Sequence, residues 1–250
     1  MVRYSPLVPS PSLTLFAHVA ARPDADIDLA EAALLIAELE YPGLDVARYT
    51  GVLDDLGQAA ARVLKSPSER PAVERVLRFL YDEVKLHGNT EDYYDPKNSF
   101  LNEVLDRRMG IPITLAVVII EVCKRAGVEA RGISFPGHFL VRSPAPNGLF
   151  IADPFEGRLL TQQDLRALIA KATGAPRDPD ARMLEPATSR QILVRMLNNL
   201  RGIYSSRGDK DKERDILERL FILSPTDEVK KDLDAAGGER GVFTGSRAIN

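Results

Sequence analysis

Two residues in the middle of the chain are of types that do chemistry, and both stand where an apolar strand would ordinarily exclude them. In FPGHFLVRSPAPNGLFIADPF, residues 135 to 155, His138 opens one apolar run and Asp153 closes the next. Each is costly to bury without a partner or a function. If SPAPNG, residues 143 to 148, forms a hairpin loop, Arg142 faces Leu149, and counting outward sets His138 across from Asp153. Facing residues on paired strands have Cβ atoms within roughly 4.5 to 5.5 Å. A carboxylate there fixes the tautomer and orientation of an imidazole, the orienting half of a catalytic triad. The same pair is also consistent with a buried hydrogen bond that only ties two strands together.

A triad needs a nucleophile, and a helix start favours one because its unpaired N–H groups and dipole stabilise a thiolate or an oxyanion. The most apolar segment, IPITLAVVIIEVC, reads as a buried helix from Pro112 to about Ala126. Pro112 has no nucleophilic atom. Thr114 has a hydroxyl, which attacks only with a well-placed base and more simply bonds to backbone at a helix start. Cys123, the single cysteine, lies further down the helix, about 16 Å from the start at ~1.5 Å per residue. Its apolar neighbours make it a core residue.

The flanking segments must position these residues. Helical spacing and turn signals predict a helical array over the first third: Ser12 to Ala20, a helix starting at Asp26 or Asp28, Asp45 to Leu64, and Glu69 to Leu86. A short helix follows, capped by Asn98 or Ser99 and stopped at Gly110. After Gly127, VEARGISF, HFLVR and GLFIAD read as three strands. Thr161 caps a helix to about Ala172, GAPRDPDARMLEP reads as a linker, and helices over about 188–206 and 210–223 precede a third short one. The fold class is α+β and mostly helical. The boundaries are an N-terminal segment over 1–27, a main domain over 28–175, a linker over 176–186, a helical region over 187–236 and a disordered tail over 237–250.

Composition excludes several functions. A net charge of −3 gives no general attraction for nucleic acid. The longest apolar run is about a dozen residues, short of the roughly 20 that span a bilayer, so no membrane role is expected. The first residues lack the apolar run of a signal peptide, and with one cysteine a reducing cytoplasm is expected. Three scattered histidines support no metal site, and nothing implies a cofactor.

NSFLNEVLDRRMGIPITLAVVIIEVCKRAG, with GISFPGHFLVR and FIADPF, resembles the SirB-type family of bacterial transglutaminase-like proteins over roughly residues 28 to 225. The resemblance implies a papain-like core of one buried helix against a small antiparallel sheet, with a helical array before it and tetratricopeptide-like helices after it. Leu197, Asn199, Leu200, Tyr204, Gly208, Asp209, Leu217, Leu220 and Pro225 carry the look of one such repeat. His138 and Asp153 match the second and third triad positions, while Gly110-Ile111-Pro112 stands where active relatives carry Gly-x-Cys. The resemblance also implies that Asn98 and Asn102 face the cleft. Arg107, Arg108 and Arg142 are candidates for an anion pocket beside the helix start, though such arginines are more often solvated or paired. Gly137 would let backbone or ligand approach closely.

Three functions are compatible with these residues. The first is a protein without a nucleophile that binds a peptide or protein through the cleft and the helical tail. The second is a hydrolase or acyl transferase using His138 and Asp153 with water or Thr114, which requires the Thr114 hydroxyl to reach His138. The third is a structural scaffold, with His138 buried and no cleft beside it. The oligomeric state is not legible.

Overall fold

The computed structural model describes residues 10–237. Its helices begin largely where the sequence indicates. Asp28, Asp45 and Thr161 each accept the backbone N–H three residues on, opening α2 (Leu29–Ala37), α3 (Val46–Leu64) and α7 (Gln162–Thr173). α1 (Pro11–Ala20) is capped by Ser10 rather than the expected Ser12, because Pro11 disfavours the helical region for the residue before it and so leaves Ser10 in the extended conformation a cap requires. α4 (Ala72–Arg78) starts after Pro71 and runs into a wider turn over Phe79–Glu83.

α6 (Pro112–Arg125) is the central element, touched by α2, α3 and α4, by the helices Leu101–Arg107 and Ser189–Ser206, and by the sheet. Every residue from Pro112 to Cys123 is buried. The one charge within that run, Glu121, is satisfied by Arg125, whose Nε also lies 2.6 Å from Asp54 on α3. A buried charge without such a partner would be strongly destabilising.

The helix before it departs from expectation. α5 (Leu101–Arg107) follows Phe100, which has no capping side chain, and neither Asn98 nor Ser99 caps it; both sit in a 3₁₀ turn, Pro96–Ser99. The stop is Arg108 in the left-handed conformation at φ 57°, not Gly110. Gly110 is needed for close packing instead: a Cβ there would lie 3.0 Å from both Thr114 and Val104. It belongs to a two-residue parallel pairing between β1 (His87–Gly88) and β2 (Met109–Gly110), which the sequence did not reveal.

The main sheet runs β3 (Arg131–Phe135), β4 (His138–Ala145), β5 (Gly148–Asp153) and β6 (Arg158–Leu159), antiparallel in chain order. The hairpin register differs from the expected one. Ala145 pairs with Gly148, so the loop is only Pro146 and Asn147, and Asp153 lies opposite Leu140 rather than His138. Pro144 is tolerated inside β4 because β3 begins only at Arg131, opposite Arg142, which leaves that side of β4 beyond Arg142 without a partner strand. The slip is two residues, and an even slip keeps every side chain on its face. His138 and Asp153 therefore remain diagonal neighbours.

The sheet is a middle layer. Phe139, Val141 and Ala152 join the core around α6, whereas Ile133, Phe135, Leu140 and Ile151 pack with Leu165 and Ile169 of α7. Residues 181–184 form a turn docked on the edge of β3, where the Ala187 N–H donates to Gly132 O at 2.8 Å. α8 (Ser189–Ser206), α9 (Lys210–Leu223) and α10 (Asp227–Ala236) follow, and the apolar residues of α8 and α9 belong to the same cluster as those of α2 and α6. The expected disordered tail falls, past Gly237, outside the described residues.

Candidate functional site

Asp153 ends β5 and is 4% exposed. Its Oδ2 lies 3.0 Å from His138 Nε2, and its Oδ1 accepts the backbone N–H groups of Phe155 at 2.7 Å and Glu156 at 3.3 Å. Burial alone would raise the carboxyl pKa, but the hydrogen bond and charge of His138, with the two backbone donors, outweigh it and hold Asp153 below its ordinary value. An ionised Asp153 only accepts, so Nε2 carries the proton between them and Nδ1 is the ring nitrogen outside that bond.

The turn beyond Asp153 is clamped in place. The Tyr81 hydroxyl donates to Pro154 O. Gly157 has φ 70°, and a Cβ there would fall 2.1 Å from the Tyr81 ring. A Cβ on Gly88 would fall 2.5 Å from the Phe155 ring. Glycine at both positions is what lets two aromatic rings seat against the backbone and fix the aspartate.

Pro112, at the start of α6, shares with His138 a cleft of about 50 Å³. Ile111 and Ile113 line it beside Pro112, Gly137 and Phe139 flank the histidine, and Tyr93, Arg195 and Asn199 complete the wall. Such a volume admits only a small end group, not a whole ligand. The Arg195 guanidinium lies 5.3 Å over the Phe139 ring and donates to His138 O at 3.2 Å.

Of the residues expected at the site, His138, Asp153, Pro112 and Gly137 come together. Thr114 does not join them: it is fully buried, with its hydroxyl 2.6 Å from Asn98 O and 3.1 Å from Ile111 O, tying the 3₁₀ turn to α6. Asn98 is likewise consumed by structure, donating its amide to Asp92 O and Tyr93 O and accepting from Asn89. Asn102 is 3% exposed and outside the cleft lining. The three arginines do not form an anion pocket. Arg107 Nη1 lies 3.1 Å from Asp95, a Coulombic contact out of line for a hydrogen bond. Arg108 is exposed at the end of α5, and Arg142 donates to Leu184 O at 2.6 Å. Cys123 is fully buried and its thiol is pushed up to about 12 by burial.

Tyr93 and Arg195 were not foreseen. Arg195 and Asn199 are one turn apart on α8, a spacing visible in the sequence, but nothing local says that this face meets a histidine on a strand. Among the described residues no cluster of His, Cys, Asp and Glu suits a metal ion, and no helix is long and apolar enough to cross a membrane.

A buried helix start sharing a cleft with a strand histidine, itself bonded to an aspartate on the next strand, defines the class of protein as transglutaminase-like. The chain belongs to the transglutaminase-like superfamily, whose family model matches residues 47–198, and to the UPF0162 family. It is 38% identical to a UPF0162 protein of Xylella fastidiosa strain 9a5c over 94% of this chain and 86% of that protein. UPF0162 protein PA3419 of Pseudomonas aeruginosa is 33% identical over 79% of this chain and 72% of its own. Human F-box only protein 21 is 30% identical over 58% of this chain but only 24% of its own length.

Proposed function

We propose that this protein binds polypeptide in its transglutaminase-like cleft without covalent chemistry. The observation that supports the reading is Pro112, a residue with no thiol, hydroxyl or amine, at the helix start beside His138. The other nucleophiles considered are committed elsewhere, Thr114 to Asn98 O and Cys123 to the core. Tyr93 and Tyr94, with rings 5.3 Å apart, are among the most exposed aromatics and present flat, rigid contact area next to the cleft. The helices over 187–236, in this reading tetratricopeptide-like, supply Arg195 and Asn199 to the same cleft. The expected place of action is the cytoplasm.

A second reading, hydrolysis by water, is favoured by one feature: the His138 ring is oriented by an ionised carboxylate through Nε2, which leaves Nδ1 outside that bond. The test is turnover. The full chain is incubated with a glutamine-containing peptide and a primary amine, and separately with an activated ester, beside His138→Ala. Equal, uncatalysed rates for both proteins are expected. A turnover that disappears with His138→Ala would replace the binding reading with the hydrolytic one.

A further inference from the structure

Arg195 differs from its neighbours in what it does with its charge. On α8 and α9, Arg201 holds Asp232 at 2.7 Å, Arg214 holds Glu218 at 3.3 Å, and Arg190 donates to Leu223 O at 3.0 Å and Ala20 O at 2.9 Å with Asp24 nearby. Arg219, more buried still and also without an ion pair among the described residues, donates to Asp215 O and Ser12 Oγ and has the carboxylates of Asp215, Glu218 and Glu38 around it. Arg195 is half-buried yet makes no ion pair among the described residues. Its single hydrogen bond, to His138 O, uses one of five N–H donors. Burial lowers its pKa, and Tyr93 is the sole neighbour pulling the other way. A cation removed from water without a counter-charge is costly to keep.

Its position gives that cost a use. Arg195 lines the His138 cleft and also a second, larger cavity of about 270 Å³ walled by Arg190, Gln191, Val194, Asn198 and Ser224. It is the residue common to both. The small cleft takes an end group, the larger cavity takes the chain behind it, and the guanidinium fork between them matches the two oxygens of a carboxylate.

We propose that Arg195 recognises a carboxylate of the bound polypeptide, holding it at the junction of the two cavities with the rest of the ligand along α8 toward Ser224. This rests on the polypeptide-binding reading. The carboxylate comes from a chain terminus or from an acidic side chain, and three capped probes separate these: N-acetyl-dialanine with a free carboxylate, N-acetyl-aspartyl amide, and N-acetyl-dialanine amide. Each is titrated into the full chain while the Nε–H resonance of Arg195 and the ring resonances of His138 are followed by NMR. The expected result is a saturable shift of Arg195 with one or both acids and none with the neutral amide, the stronger acid identifying the source. Arg195→Gln should weaken that acid by about tenfold, and Arg195→Lys, which keeps the charge but not the fork, should fall between. An Arg195 resonance that ignores both acids, or equal binding of all three probes, overturns the proposal. If the neutral amide moves His138 while Arg195 stays silent, the cleft binds polypeptide and only the carboxylate claim fails. If acetate alone shifts Arg195 and no peptide binds more tightly than acetate, the anion site stands and the polypeptide reading fails.

Discussion

At the scale of single residues, the site sets a histidine held by Asp153 beside Pro112 at a helix start, and each half makes a prediction. Asp153 has a pKa held below its ordinary value of 3.8, so its contribution to stability is complete above that value and is lost as pH falls through the lowered folded value. Asp153→Asn removes the charge but keeps an acceptor for the N–H groups of Phe155 and Glu156. It should cost roughly 1–3 kcal/mol at neutral pH, and the gap from the parent protein in urea titrations should start to narrow near the ordinary value of 3.8 and close as pH falls through the lower folded value. A gap independent of pH would mean that Asp153 is not an ionised partner of His138. Pro112→Cys tests the other half. A thiol at that helix start, beside His138, should titrate below the ordinary ~8.5 and alkylate rapidly with iodoacetamide near neutrality. Cys123 is buried and should stay unlabelled in the native parent. Adding His138→Ala should return the introduced thiol to ordinary reactivity; identical pH profiles with and without His138 would show that the geometry does not activate a nucleophile at position 112. His138 and Asp153 were legible in the sequence because they are wrong residue types for apolar strands. Arg195 was not, since an arginine on an amphipathic helix looks solvated until the fold brings a histidine's strand to it.

At the scale of elements, the sequence revealed types and starts better than ends and registers. Caps such as Asp28, Asp45 and Thr161 act within three residues and can be read locally. The hairpin loop is shorter than the sequence suggests because two prolines look like turn formers, whereas β3, starting opposite Arg142, leaves Pro144 free to stay in a strand. The stop of α5 was misplaced for a related reason: Gly110 is a glycine for packing, while the left-handed residue is Arg108. Replacing Arg108 by glycine relieves a left-handed side chain at the expense of some unfolded-state entropy, and should raise stability by about 0.5–1 kcal/mol in urea unfolding. Gly157→Ala should do the opposite. Its Cβ meets the Tyr81 ring at 2.1 Å and its backbone sits at φ 70°, so a loss of more than about 2 kcal/mol is expected. The loss should come with a change in the His138 ring resonances, because the same turn holds Asp153. A variant as stable as the parent would mean that Tyr81 does not clamp this turn.

At the scale of the whole molecule, the question is whether residues 187–236 form an appendage or part of the core. Leu193, Met196, Leu197 and Leu200 of α8 and Leu217 and Leu220 of α9 are each at most 2% exposed, in one cluster with α2 and α6. Arg190 adds a polar staple, reaching Ala20 O and Leu223 O from α8 and so tying the end of α1 to the end of α9. Losing one such leucine, as in Leu197→Ala, should cost about 2–5 kcal/mol, a large part of the roughly 5–15 kcal/mol that holds a domain folded. Removing all of these contacts at once exceeds that margin. A chain ending at residue 186 should therefore lack a cooperative melt, followed by far-UV circular dichroism because the protein has no tryptophan, whereas the full chain should unfold with residues on α6 and α8 losing amide-exchange protection together. A truncated chain that melts cooperatively near the full-length midpoint would make the last helices a separate unit. The same continuity governs how binding is mapped: deleting the helices that carry Arg195 would abolish binding by unfolding the cleft, so only point substitutions on the intact chain can assign the interaction to α8.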